Sequence, residues 1–167
     1  LFDSWVDTFI DIYKTYPKAK KKPHIAIVDF MSSASDNEFE VFKEHFEKRG
    51  YTCEICEITK LKYEKNKLIS PEGKKIDAIY RRAVTCDIMK NYDAVLPFIE
   101  AVKNNAVCLI GDFKTQIVHN KRVFKILHDK MTMSFLTDEE REFVKEHIPY
   151  TTFLTAVLYL KRLKTCS

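Results

Sequence analysis

Two adjacent arginines, Arg81 and Arg82, follow a predicted strand, and they are the side chains most suited to binding chemistry in this chain. Arginine presents a planar fork of donors that binds a carboxylate or a phosphate through paired hydrogen bonds. Neighbouring strand residues point to opposite faces, so at most one of the two enters a given crevice. In the alternative, structural interpretation, one arginine pairs with Asp77, Asp87 or Asp112 and holds a loop in place.

Polar residues follow three predicted strands at their carboxyl ends. They are Asp29 with the loop 32–37, then Arg81, Arg82 and Thr85, and finally Asp112, Lys114, Thr115 and Gln116. In an open parallel sheet, ligands bind outside the carboxyl ends of the strands, where the strand order reverses. We therefore predict that Arg82 lies in one cleft with Asp112 or Lys114. The candidate substrate-binding residues are Arg82, Arg81, Thr85 and Asp112.

The elements that must position these residues alternate along the chain. Nearly continuous apolar runs predict buried strands at 24–30, 76–80 and 106–110, and an alternating pattern predicts one at 51–58. Helical spacing predicts helices at 2–16, 38–49, 88–104, 115–128 and 138–147, with Phe39, Phe42 and Phe46 on the inner face of the second and a break or bend near Pro97 in the third. A small hairpin turns at Lys65-Asn66. This order predicts an α/β fold in three layers, Rossmann-like, with a mainly parallel sheet and helices on both faces.

Composition excludes several function classes. The chain has 167 residues and a net charge of +4, and its 3 glycines are too few for a P-loop or a GxGxxG fingerprint. The basic run Lys18–Lys22 lies in a predicted linker, 17–23, and lacks interleaved aromatic residues, so we predict no nucleic-acid partner. No apolar run reaches the ~18 residues of a membrane span, so we predict no membrane partner.

Five cysteines and five histidines offer little further chemistry. An odd cysteine count without a signal peptide predicts reduced thiols and a cytoplasmic protein. Cys53 and Cys56 match the CxxC pattern, but they lie in an alternating strand segment, so we interpret them as buried and unbonded. No HExxH motif or second cysteine pair is present in the sequence, and we predict no metal ligands and no catalytic residue.

Four segments together resemble a known family. They are His24-Ile-Ala-Ile-Val-Asp-Phe30, the helix Glu38–Gly50, Ile76-Asp-Ala-Ile-Tyr-Arg-Arg82 and Val118–Leu127. In this order they resemble the substrate-binding, pre-ATP-grasp domain of circularly permuted ATP-grasp proteins, the group that includes glutathionylspermidine synthase and eukaryotic-type glutathione synthetase. The resemblance covers residues 1–150, including the leading helix 1–16.

The resemblance implies a function for particular residues. Arg82 matches best the strand-end arginine that contacts a small acidic or peptide-like substrate, and Lys121 matches a lysine that reaches nucleotide phosphates. Lys114 is a second cofactor-binding candidate. The implied cofactors are ATP and magnesium, and the implied reaction is attack of an amine on an acyl phosphate. An ATP-grasp module would be the partner of this domain.

The end of the chain departs from the family pattern. Residues 151–167 contain no glycine and no carboxylate, whereas the family continues there into a glycine-rich segment and magnesium-binding carboxylates. We therefore predict an atypical tail, truncated before the ATP-grasp module, in a fragment or a natural remnant. On this interpretation the parent protein is an ATP-dependent carboxylate–amine ligase and this chain alone is inactive. The alternative is a non-catalytic α/β interaction domain that binds a protein partner through aromatic-rich surfaces.

Overall fold

The computed structural model describes residues 2–31 and 36–153, which divide into two compact units, 1–113 and 114–167. The first unit contains helices α1 (Phe2–Lys14), α2 (Asp36–Lys48), α3 (Thr85–Lys90) and α4 (Leu96–Lys103), and strands β1 (His24–Asp29), β2 (Thr52–Glu57), β3 (Lys62–Glu64), β4 (Lys67–Ile69), β5 (Ala78–Arg81) and β6 (Cys108–Ile110). The second contains helices α5 (Gln116–His119), α6 (Arg122–Leu127), α7 (Lys130–Phe135) and α8 (Asp138–His147). The predicted tail, 151–167, lies outside the described residues from 154 onward.

A four-stranded parallel sheet forms the middle layer of the first unit, in the order β2-β1-β5-β6. Helices α1 and α2 cover one face, where the predicted inner residues Phe39, Phe42 and Phe46 are all buried. Helices α3 and α4 cover the other face together with the β3–β4 hairpin. The predicted three-layer α/β fold is therefore confirmed.

Local sequence determines several boundaries. The hairpin turns at Lys65 and Asn66, whose φ angles of 50° and 58° are those of a tight type I′ turn. Helix α8 begins with a capping box, in which Thr137 and Glu140 exchange hydrogen bonds between side chain and backbone. The predicted helix 115–128 is interrupted, because Asn120 has extended backbone angles between α5 and α6.

The amino end of the sheet carries a polar cluster, which we call the amino-end cluster: the buried residues His24, Glu54 and Asp77 and the more accessible residues Lys20, Thr52 and Lys75. The Asp77 carboxylate accepts a hydrogen bond from the His24 backbone N–H at 3.1 Å and pairs with Lys20 and Lys75 at 2.8 and 3.1 Å. The His24 ring bridges Thr52 Oγ1 and Glu54 Oε2 at 2.9 and 3.2 Å. These contacts hold β1 in register with β2 and β5.

The two cysteines of the CxxC pattern lie on opposite faces of β2. Cys53 packs with the core under α1 and α2, and Cys56 packs with the core under α3 and α4. Both are unbonded, as the sequence predicted. Burial raises the pKa of the Cys53 thiol to about 12 and that of Cys56 further, so both thiols stay protonated at neutral pH.

Candidate functional site

The strand order reverses between β1 and β5, which makes their carboxyl ends the expected ligand site of this sheet. From β1 the chain passes through α2 to β2 on one side, and from β5 it passes through α3 and α4 to β6 on the other. The backbone N–H groups of Arg82 and Ala83 both donate to the Val28 carbonyl oxygen, at 2.9 and 3.1 Å. Arg82 is therefore fixed by its backbone at the reversal point.

The Arg82 side chain extends over the α2 face of the sheet. Its guanidinium donates to Glu38 Oε2 at 3.1 Å and to the Tyr80 hydroxyl at 3.2 Å, and it lies over the Phe39 and Tyr80 rings. The side chains of Arg82 and Glu38 are 37% and 38% exposed. An ion pair this accessible contributes little stability, so a ligand carboxylate can replace Glu38 at small cost.

Arg81 extends over the opposite face and has a structural role. Its Nε donates to the Gly111 carbonyl oxygen at 2.5 Å, one Nη donates to Ala83 O at 2.6 Å, and the other donates to Asp112 O at 3.4 Å. The guanidinium also lies over the Phe113 ring. Burial lowers the pKa of Arg81. These contacts hold the loop after β6 against the end of β5.

Gly111 allows this close approach. Its φ of +84° is left-handed, and a Cβ there would lie 3.3 Å from the Arg81 carbonyl oxygen. Thr85, at the start of α3, has its hydroxyl 3.5 Å from an Arg81 Nη. The structure therefore brings together Arg81, Thr85 and Asp112 on one face. It places Arg82 on the other.

This arrangement changes the predicted pairing. The sequence predicted Arg82 in one cleft with Asp112 or Lys114, whereas in the structure it is Arg81 that contacts the Asp112 backbone. Alternation along β5 explains the result, because it sends consecutive side chains to opposite faces. The structural interpretation, in which one arginine holds a loop in place, applies to Arg81. The acceptors of its hydrogen bonds include the backbone carbonyl oxygens of that loop. Arg82 is then the arginine accessible to a ligand.

Two carboxylates lie at the carboxyl ends of the neighbouring strands β1 and β2, and the charge of Arg82 acts on the first of them, Asp29. Asp29 accepts a hydrogen bond from the Phe30 N–H at 2.8 Å, and burial raises the pKa of its carboxyl group despite the charge of Arg82. Glu57 accepts hydrogen bonds from Met31 N at 2.8 Å and Thr59 N at 3.1 Å. Burial opposes ionisation of Glu57, but these hydrogen bonds prevail and lower its pKa. The loop residues 32–35 lie outside the described part of the chain.

Sequence reasoning missed Glu38 and Glu57 as members of this site. Glu38 could have been found from its position in the first turn of α2. This helix follows β1, so its first turn must lie near the carboxyl end of the sheet. For Glu57 the signal was the parallel register, which sets Glu57 opposite Asp29. Neither residue belongs to a motif of its own.

The predicted cofactor-binding lysines belong to the second unit. Lys114 lies in the short 3-10 turn Phe113–Thr115, and Lys121 immediately precedes α6; both are exposed. In that unit Arg122 and Lys125 lie over the Phe153 ring at 5.4 and 5.5 Å. Lys121 thus stands beside a local group of cations that the sequence analysis did not single out.

No family model matches this chain, and no curated protein matches it either. Within residues 2–31 and 36–153, no group of three or more His, Cys, Asp or Glu side chains is placed to hold a metal ion. In the same ranges no helix is both long and apolar enough to cross a bilayer.

Proposed function

We propose that residues 1–150 form the substrate-binding domain of an ATP-dependent carboxylate–amine ligase of the permuted ATP-grasp type. In this proposal Arg82 binds a carboxylate of a small acidic or peptide-like substrate. The observation that carries the proposal is the accessible guanidinium of Arg82 at the reversal point, paired with an equally accessible Glu38. The resemblance of the sequence to pre-ATP-grasp domains supplies the reaction class.

The surroundings of Arg82 suit an exchange of carboxylates. The Phe39 and Tyr80 rings beneath the guanidinium, 5.8 and 5.7 Å from it, restrict its orientation before a ligand arrives. When a substrate carboxylate replaces Glu38, one charge-assisted contact is exchanged for another. The gain in affinity then comes from the remaining contacts of the substrate with the carboxyl end of the sheet.

The chemistry of activation belongs to other groups in this proposal. ATP and magnesium would serve an ATP-grasp module, the proposed partner, and Lys121 and Lys114 are the groups of this chain that would approach nucleotide phosphates. The part of the chain described here orients the acid and does not itself transfer a phosphoryl group. We therefore expect no ligase or ATPase activity from these 167 residues.

Calorimetric titration with glutathione, an acidic tripeptide, tests the proposal. Arg82→Met is expected to weaken binding about tenfold, because it removes one charge-assisted contact. Glu38→Gln is expected to strengthen binding about twofold to fivefold, because it removes the competing carboxylate. Glu40→Gln is the matched control on the same helix, since Glu40 pairs with Lys43 and not with Arg82. Equal affinities for the wild type and Arg82→Met would exclude the proposed role of Arg82.

A second function, a non-catalytic domain that binds a protein partner, is favoured by the surface of the second unit. Its large apolar side chains are unusually exposed: Ile117, Val118, Met131, Phe135, Phe143 and Tyr150 range from 58% to 81%. Large apolar side chains exposed to this extent are typical of surfaces that bind another molecule when they form one patch. A folded chain that fails to bind glutathione at all would favour this second function over the first.

A further inference from the structure

An open cleft lies at the amino end of the sheet, away from the site proposed for the ligase substrate. It is bounded by the last turns of α1, by the basic segment before β1 and by Tyr51 before β2, and its volume is about 300 Å³. Pro23 and Tyr51 precede the amino ends of β1 and β2, whereas Arg82 follows the carboxyl end of β5. That volume is at the lower end of the range for small-molecule sites, enough for one ring and one anionic group.

The floor of the cleft is apolar and fixed. Ile10 and Tyr13 are 6% and 1% exposed, and Pro23 is also buried. The Tyr13 hydroxyl accepts a hydrogen bond from the Lys20 backbone N–H at 2.8 Å, which fastens the basic segment to α1. Lys18 is tied down as well, through its Nζ to the Asn105 carbonyl oxygen at 2.7 Å. The segment predicted as a linker is thus exposed but anchored.

The charged side chains that line the cleft are all lysines: Lys14, Lys20 and Lys21. Lys14 pairs with Asp11 and Lys20 with Asp77, at 2.8 Å each, and Asp77 also serves Lys75. The ammonium groups of Lys20 and Lys75 therefore share the Asp77 carboxylate. Lys21 forms no hydrogen bond or ion pair with another described residue, which leaves a positive charge at the rim without a partner.

We propose that this cleft binds a small aryl phosphomonoester, with the ring against Tyr13, Pro23 and Tyr51 and the phosphate among Lys14, Lys20 and Lys21. Lysines act as mobile point charges and suit a doubly charged phosphate, whereas the fork of arginine matches a planar carboxylate. The half-buried Tyr51 offers a flat apolar ring surface to a ligand ring, above the buried floor of the cleft. The proposal does not depend on the ligase function, because it uses none of the residues around Arg82.

A titration of the full chain with phenyl phosphate, followed by amide NMR, tests this site. We expect saturable shifts at Lys21 and Tyr51. Lys21→Met should weaken binding about tenfold, through loss of one charge-assisted contact. Lys22→Met is the matched control, a neighbouring exposed lysine that does not line the cleft, and it should change affinity by less than about twofold. Arg82→Met should leave this binding unchanged.

Phenol and inorganic phosphate test the two halves of the ligand separately, and each should bind at least about tenfold more weakly than phenyl phosphate. The proposal is overturned if the wild type shows no saturable shifts, if phenol binds as tightly as phenyl phosphate, or if Lys21→Met and Lys22→Met reduce affinity equally. The last result would mean diffuse attraction by the basic segment. Both variants replace exposed side chains, and circular dichroism confirms that they fold.

Discussion

The two ends of the central sheet use polar residues in opposite ways. At the amino end, His24, Glu54 and Asp77 are 9%, 6% and 8% exposed and hydrogen-bonded to fixed partners. At the carboxyl end, Arg82 and Glu38 are more than a third exposed, and Asp29 has a pKa raised by burial. Buried polar groups with all their partners lock a structure, whereas accessible charges and perturbed pKa values mark binding sites. The amino-end cluster thus stabilises the register, and the carboxyl end is available to a ligand.

Removal of the central carboxylate of the amino-end cluster should have the largest effect. Asp77→Ala leaves the buried His24 N–H without its acceptor and is expected to reduce the free energy of unfolding by about 2 kcal/mol. Urea denaturation followed by Trp5 fluorescence measures this, because Trp5 packs against Phe42 and Tyr80 in the first unit. Glu38→Ala at the other end is the control, with a change within about 0.5 kcal/mol. If Asp77→Ala and Glu38→Ala reduced the free energy of unfolding equally, the two ends of the sheet would not differ in their contribution to stability.

The pH dependence at the amino end follows from the same residue. Burial alone would raise the pKa of Asp77, but hydrogen bonds from Lys20, the His24 backbone and Lys75 lower it below its ordinary value of 3.8. A lowered pKa contributes stability above about pH 4 that is lost as the pH falls through the folded-state pKa. Asp77→Asn keeps an acceptor but not the charge, so its deficit relative to the wild type should be constant near neutrality and shrink in acid. A deficit unchanged down to about pH 2 would contradict this assignment.

Replacement of Asp29 by Asn should change the stability at neutral pH by less than replacement of Asp77, and in the opposite direction. Because burial raises the folded-state pKa of Asp29, the ionised carboxylate costs stability at neutral pH, and that cost is absent below about pH 4, where both states are protonated. Asp29→Asn retains an acceptor for the Phe30 N–H and should therefore increase the urea midpoint at pH 7. The gain should disappear in acid. A decrease at pH 7 would show that the charge of Asp29 stabilises the fold.

The sequence predicted the sheet and its cores because these depend on local pattern. Runs such as His24–Asp29 are apolar enough to be buried on both faces, and the capping box at Thr137 specifies the start of α8 within four residues. Which of Arg81 and Arg82 holds the loop, and which is accessible to a ligand, could not be predicted in the same way. Alternation separates them, but which face carries the Gly111 loop depends on tertiary packing.

The amino-end cluster was also invisible in the sequence. Its key contact joins His24 to Asp77 across 53 positions, and it exists because the register pairs Ile25 with Ala78. The Arg82–Glu38 pair spans 44 positions for a similar reason. In each case the residue types were visible, but their proximity follows from strand register, which apolar pattern alone does not set between parallel strands.

The contrast between the two ends is tested most directly by NMR of the folded chain titrated with glutathione, observing the Arg82 Nε–H and the backbone amides at both ends of the sheet. We predict saturable shifts for Arg82, Ala83 and Glu38 and unchanged signals for His24 and Asp77. Shifts confined to the amino end, or an Arg82 signal that does not respond while the protein stays folded, would contradict the assignment of the carboxyl end as the site of the acidic substrate.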